Sequence, residues 1–320
     1  MENKYTGKAG KIPCVAVILV HLEQETLTSE CIESLRNITH PNFEIILVDN
    51  GSTNGSGFRL QKRFPDVHFI RSDVNTGFAG GNNIGIRAAL ETKADYIVLL
   101  NNDTVVDPGF LEPLIAYSSA NHSVGVQGCK IYFYNPKDEI WFAGGFLKPH
   151  AGRGYHRGLH EVDRGQYNTI EETDFVTGCM MFMPVEVLRD VGVLDEQWFL
   201  YLEDVDWCMR ARRKGYQIIY NPNAVIWHKT SSSTGHDSPV YLYYTMRNKI
   251  LFVKKYSGVL HWGVRTPYFL FFYTRQIIRM SVKWRSRTGT RAIVAGLLDG
   301  LRGVTGRGSI DSLVQKPFPS

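Results

Sequence analysis

Four side chains in this sequence sit where chemistry is done. Asp49, Asp103 and His228 each lie at the end of a short apolar run, EIILV, YIVLL and AVIW, and Asp204 lies within YLEDVDWC. Such a run reads as a buried strand that delivers its terminal polar group to a sheet edge, where open α/β sheets bind ligands. Asp103, which follows Asn101 and Asn102, is a hard oxygen ligand suited to Mg²⁺ or Mn²⁺, and an imidazole such as His228 fits a Mn²⁺ site. A diphosphate bridged to that cation is the matching partner, because the ion offsets charge developing on a leaving phosphate. The plainer readings are a turn or capping acid at Asp103 and a hydrogen-bonded core imidazole at His228.

Asp49 heads the loop DNGSTNGSG, where its carboxylate either accepts hydrogen bonds from a planar edge such as a pyrimidine imide or starts an Asx-turn. Glu203, Asp204 and Asp206 place three acids at the positive end of a helix dipole. Crowding raises their proton affinity while the dipole lowers it, which suits one of them to general-base work near neutral pH. Trp198 and Trp207, with Phe199 and Tyr201 beside them, offer flat faces for stacking on sugar rings, or simply core. The stretch Asn75 to Gly85, NTGFAGGNNIG, includes Gly77 and Asn83 and reads as a cradle for ribose or phosphate at a helix start. It lacks GxGxxG spacing and does not follow the first strand, so a dinucleotide-binding site loses its support.

These groups need a scaffold. Strand-like runs CVAVILV, EIILV, VHFI and YIVLL alternate with helical patterns near Ser29 to Asn37, Asn83 to Leu90 and from Phe110. This rhythm predicts an α/β fold with a mostly parallel sheet flanked by helices. Further strands are expected at VGVQGCKIYF, FVTGCMMFM, QIIY and AVIW, helices at Pro184 to Val191 and Asp204 to Lys214, and a mobile Gly-rich loop between Gly144 and Gly165.

With 320 residues and 43% hydrophobic content, the chain can bury one large core or a core with an appendage. Its charge is unevenly spread: residues 1 to 240 carry 22 basic against 29 acidic side chains, and residues 241 to 320 carry 14 against 2. We therefore divide the chain into a flexible 1–12, a catalytic domain over 13–239 and a basic, aromatic-rich helical extension over 240–320. The extension suits an anionic membrane surface better than nucleic acid. Its longest apolar piece, PYFLFFY, falls far short of the roughly 20 residues that span a bilayer. It lies on a membrane or packs as a helical hairpin on the catalytic domain. Five scattered cysteines without a CxxC pair indicate neither a disulfide framework nor zinc. The first residues hold lysines with no apolar stretch behind them, so no secretory signal is expected and the protein is placed in the cytoplasm, peripheral to the inner membrane face.

In order, VAVILV, VDNGST, NTGFAGGNNIG, LLNNDTVVDPGFL, TGCMMFM, FLYLEDVDWCMRARRKGY and WHKTSSSTG resemble family 2 glycosyltransferases of the GT-A fold. The likeness covers about residues 13 to 250, and the NND form with YYTMRN at Tyr243 to Asn248 is most similar to bacterial rhamnosyltransferases. The resemblance implies an inverting, metal-dependent enzyme that moves a sugar, L-rhamnose from dTDP-rhamnose or another hexose from a dTDP or UDP donor, to a hydroxyl of a lipid-linked or cell-surface glycan. Asp49, Asn75, Gly77, Asn83 and Asn102 would form the nucleotide pocket. Asp103, Thr177, Gly178 and Arg247 would meet the diphosphate and sugar. Asp103 and His228 would hold Mn²⁺ or Mg²⁺, Asp204 would deprotonate the acceptor, and Glu203, Trp198 and Trp207 would contact it. Two departures stand out: Asn101 occupies the first place of the usual DxD, and His21 stands where a smaller polar residue is common.

Two other classes compete. A sugar nucleotidyltransferase needs a Gly-rich basic loop after the first strand, where this chain has HLEQETL. A non-catalytic glycan- or nucleotide-binding module needs neither the acidic cluster nor His228.

Overall fold

A computed structural model describes residues 11–230, 238–256, 271–283 and 286–310. The expected flexible N-terminus up to residue 10, most of the serine-rich stretch after His228 (231–235) and the start of PYFLFFY (267–270) lie outside the described residues.

The first half runs β1 (Val15–His21), α1 (Glu25–Leu35), β2 (Phe43–Asn50), α2 (Ser56–Arg63), β3 (His68–Ser72), α3 (Gly77–Leu90), β4 (Tyr96–Asn101), β5 (Thr104–Val106), α4 (Leu111–Ala120) and β6 (Val124–Phe133). There follow β7 (Ile140–Phe142), β8 (Gly145–Lys148), β9 (Arg153–His156), β10 (Glu171–Glu172), β11 (Met180–Pro184), α5 (Val185–Val191), α6 (Glu203–Arg213), β12 (Gln217–His228), α7 (Pro239–Tyr256) and α8 (Arg287–Arg302). Residues 271–278 are also helical and pass into a π-helical turn, Arg279–Lys283.

The main sheet has the order β10-β12-β6-β11-β4-β1-β2-β3. Strands β3, β2, β1 and β4 are mutually parallel, and β6 and β12 point the same way, because β11 lies antiparallel between β4 and β6. The sheet is thus mostly parallel, and one edge gathers the carboxyl ends of six strands together with the amino end of β11. Strands β1 and β4 are buried on both faces, which explains why VAVILV and YIVLL are continuously apolar rather than alternating. Helix α1 buries Thr28, Cys31, Ile32 and Leu35, the one-sided spacing of a helix lying on a sheet. In α6 acids fill the first turn and arginines the last, both matched to the helix dipole.

Three expectations are corrected. Helix α1 starts at Glu25 rather than near Ser29, and α3 starts at Gly77 rather than Asn83. Glycine lowers helix propensity by about 1 kcal/mol per residue, but packing of α3 on β1 and β2 overrides that cost. The segment expected as a mobile Gly-rich loop holds the β8–β9 hairpin, tied to the rest by the bridge of Gly145 to Phe175.

Beyond residue 238, α7 contributes Leu251 and Phe252 to the main core. Its remaining apolar residues form a second cluster with α8, Tyr273, Met280 and Phe199. No described helix is long and apolar enough to cross a membrane.

Candidate active site

Strand register places the chemical groups together. His21 lies opposite Asp49 across β1 and β2, and Val20 lies opposite Asn101 across β1 and β4. Because β11 runs against β4, its leading residues reach the same edge, and Asn101 N donates to Cys179 O at 2.9 Å. Strand β5 turns back along β12, setting Thr104 opposite His228. That pairing brings His228 Nε2 within 3.0 Å of Asp103 Oδ1.

Asp103 and His228 are both nearly buried, and the His228 ring meets the edge of Trp141 at a centroid distance of 4.6 Å. Among the described residues, His228 Nδ1 is buried with no hydrogen-bond partner. Among the described residues no cluster of three His, Cys, Asp or Glu could hold a metal. A carboxylate beside an imidazole with spare capacity nevertheless fits a Mn²⁺ or Mg²⁺ ion that takes its other ligands from water and phosphate oxygens. Zinc, which prefers a fuller protein cage, fits less well.

Asp204 sits at the start of α6. Its carboxylate accepts the amide of Gly178 at 2.8 Å and its neighbour's amide, Val205 N, at 2.7 Å. A Cβ at Gly178 would stand 2.9 Å from the Phe78 ring, so glycine lets the turn before β11 reach this carboxylate without moving that ring. Burial raises Asp204 above the ordinary carboxylate range despite the two amides. Glu203 is buried too, has one unpartnered oxygen, and is raised well above its ordinary value by burial and then by the charge of Asp204. Both carboxyls are thus pushed toward the protonated form, Glu203 the more strongly, while Asp204 is held by two backbone amides.

Asp49 is fully buried. Arg71 Nη1 donates to Oδ2 at 2.5 Å and Ser52 N to Oδ1 at 3.1 Å. Asn75 lies next to the neighbouring Asn50, whose Nδ2 is 3.3 Å from Asn75 Oδ1. Thr177 closes the turn before β11, its hydroxyl accepting Cys179 N at 3.3 Å.

Other expectations change. The expected phosphate cradle has already used its amides: Thr76 N donates to Asn50, Gly77 N to Asn75, and Phe78 N and Ala79 N to Phe199 O. Gly77, at φ +77°, serves close approach, since a Cβ there would stand 2.4 Å from Phe199 O. Asn83 faces the other way and binds Leu194 and Glu196. The Asn102 amide donates to Thr28, which joins His21 and Ser56 in one buried chain of hydrogen bonds. Burial drives His21 down to about 4, so a neutral imidazole occupies this place as a bridge between α1 and α2. Trp198 and Trp207 are fully buried, and the Trp207 indole donates to Gly192 O, which leaves no face for a sugar. Arg247 is likewise interior, its guanidinium on the carbonyls of Gly306 and Trp198, so it is withdrawn from the diphosphate.

Arg71 and Trp141 were not picked out from the sequence, and Phe199, read there as a stacking face, instead caps α3 through its carbonyl. Arg71, the penultimate residue of HFIRS, lies directly opposite Asp49 in the β2–β3 register, a signal that is meaningful only once the register is known.

Comparison with known proteins gives a consistent result. The family model described as glycosyl transferase family 2 matches residues 15–192. The dTDP-rhamnosyl transferase RfbF of Shigella flexneri is 28% identical over 285 residues, covering 86% of this chain and 91% of that protein. The N-acetylglucosaminyl-diphospho-decaprenol L-rhamnosyltransferase of Mycobacterium tuberculosis is 26% identical over 316 residues, covering 89% and 98%. Among solved structures, GalNAc-T7 with UDP, GalNAc and Mn²⁺ matches at TM-score 0.60 and 15% identity over 76% of this chain, which spans about half (48%) of that one. The mannosyltransferase PcManGT from Pyrobaculum calidifontis, in complex with GDP-Man and Mn²⁺, matches at TM-score 0.54 and 14% identity over 90% of this chain and 75% of that one. These structural likenesses show the fold alone.

Proposed function

The chain belongs to glycosyl transferase family 2, and from that membership we propose that it transfers L-rhamnose from a dTDP donor to a hydroxyl of a lipid-linked or cell-surface glycan, with inversion. The observation that carries this reading is the single sheet edge shared by Asp49, the Asp103–His228 pair and Asp204. The rhamnosyl specificity is supported by the names of the two relatives, which cover most of their own lengths.

In this reading buried Asp49, paired with the exposed Arg71, stands beneath the nucleotide base. Asp103 and His228 would hold a divalent cation, which would supply positive charge to the leaving diphosphate. The acceptor hydroxyl gives its proton to Asp204 while its oxygen bonds to the anomeric carbon. The bond from that carbon to the β-phosphate oxygen breaks and dTDP leaves. Neutral Glu203 adds no second negative charge beside the attacking oxygen. The basic surface of 271–302 holds the enzyme on an anionic bilayer, where Phe271 (68% exposed), Ile278 (55%) and Val282 (69%) lie among Arg275, Arg279 and Arg291.

A panel of nucleotide sugars with Mn²⁺ tests the donor: dTDP-rhamnose is expected to turn over fastest, and a strong preference for another donor overturns it. Asp204→Asn is expected to lose roughly a thousandfold in turnover, within the range of general-base catalysis. Nucleotide binding by calorimetry is expected to persist. Near-normal turnover in that variant removes Asp204 as the base.

A further inference from the structure

Three of the four residues before α6 hold an unfavourable backbone. Phe199 (φ +61°), Tyr201 (φ +71°) and Leu202 (φ +73°) are non-glycine residues in the left-handed region. Such a conformation persists only where its surroundings impose it. The segment also does two tasks at once. Phe199 O accepts Phe78 N at 2.7 Å and so caps α3, while Leu202 leads directly into Glu203 and Asp204.

What imposes the conformation is a pair of adjacent residues on α7. Asn248 Nδ2 donates to Trp198 O at 3.1 Å, Leu200 O at 2.8 Å and Tyr201 O at 2.8 Å. Its own Oδ1 accepts Arg247 Nε at 2.8 Å. Arg247 adds Nη2 to Trp198 O at 2.9 Å, and Nη1 to Gly306 O at 2.5 Å. Both side chains are fully buried, and Arg247 lies over the rings of Tyr243 and Tyr244. A guanidinium and an amide thus use their donors on backbone carbonyls of a loop about 50 residues away. Of the four carbonyls from Trp198 to Tyr201, those of Trp198, Leu200 and Tyr201 accept from this pair, while that of Phe199 caps α3.

We propose that Arg247 and Asn248 are positioning residues of the transfer step: from the C-terminal helices they hold the strained 198–202 loop, and through it set both the start of α3 and the place of Asp204 against Gly178. The role of Arg247 is therefore structural support of the base rather than contact with phosphate. The inference rests on Asp204 as the base, and it extends the site to a helix outside the 15–192 match.

The test uses Asn248→Ala and Arg247→Lys in the full chain, at a temperature where melting curves show both folded. Nucleotide-sugar hydrolysis with Mn²⁺ is measured for dTDP-rhamnose, or for whichever donor of the panel the wild type turns over. The expected result is a fall in kcat of roughly 100-fold, the scale of a small displacement of a reacting group, with donor KM changed by no more than about threefold. Amide hydrogen exchange gives a second readout. Phe78, Ala79 and Gly178 are expected to exchange roughly tenfold faster in Asn248→Ala while β1 and β4 keep their rates, which is local opening rather than global loss of stability. Unchanged kcat in folded variants overturns the inference, and so does a uniform rise in exchange across the sheet. If the wild type turns over no donor, the functional reading fails by itself. The exchange arm then decides the clamp alone, with unaltered protection at Phe78 and Gly178 as the contrary result.

Discussion

Glu203 and Asp204 are neighbours in the chain and differ in what surrounds them. Asp204 receives two backbone amides, whereas Glu203 keeps a buried oxygen with no partner. Burial first, then the charges of Asp204 and Asp206, hold the Glu203 carboxyl well above its ordinary value. Its folded value therefore exceeds the unfolded one, about 4.3 for glutamate. The stability its proton contributes is complete below the unfolded value and is lost as pH rises through the folded one. Glu203→Gln keeps a neutral side chain and removes that loss. Its melting temperature is expected to gain on the wild type as pH rises from the unfolded value through the folded one, and a gap that stays constant with pH would count against the assignment. The types of these residues and the dipole beneath them were legible in YLEDVDWC. Which acid meets Gly178 was not, since that depends on a residue 26 positions away.

At the level of elements, the central strands β1, β2 and β4 were legible because burial on both faces leaves an apolar run that little else produces, whereas the short β5 and β7 to β10 left no such run. Helix α3 was legible only in its second half. Its glycines read as loop, yet one of them is required by the approach of Phe199, a contact 122 residues distant in sequence. Gly77→Ala meets a backbone carbonyl and a left-handed φ together. We expect a loss of about 1–3 kcal/mol in urea unfolding, together with lower turnover as the loop before Asp204 shifts. An alanine variant with wild-type stability and turnover would show that the 199–202 loop has room to move. The Trp198 and Trp207 readings failed for a related reason: aromatic residues beside an acidic motif look the same in sequence whether they line a cleft or fill a core.

For the molecule as a whole, the charge division at residue 240 corresponds to helices that pack on the loop before Asp204 with one face and leave apolar and basic residues on another. Vesicles of phosphatidylglycerol are expected to cosediment the full chain at low salt and release it near 0.5 M, because surface charge is screened over about 10 Å already at 0.1 M. Replacing Phe271, Ile278 and Val282 by serine is expected to weaken binding further, by the apolar burial lost at the interface. Binding that ignores both salt and these substitutions would argue against the bilayer as the partner.

The sequence by itself determined the alternation of strands and helices, the family, and the residue types at strand ends, since burial, capping and metal-ligand chemistry are local properties written in composition and order. Only the tertiary structure decided which groups meet. It paired Asp49 with Arg71 and His21 with Thr28 and Ser56, turned Asn83 and Arg247 inward, and bound Asn248 to the loop that carries Asp204. Register and long-range hydrogen bonds are made between segments far apart along the chain, and each depends on the geometry of both partners at once.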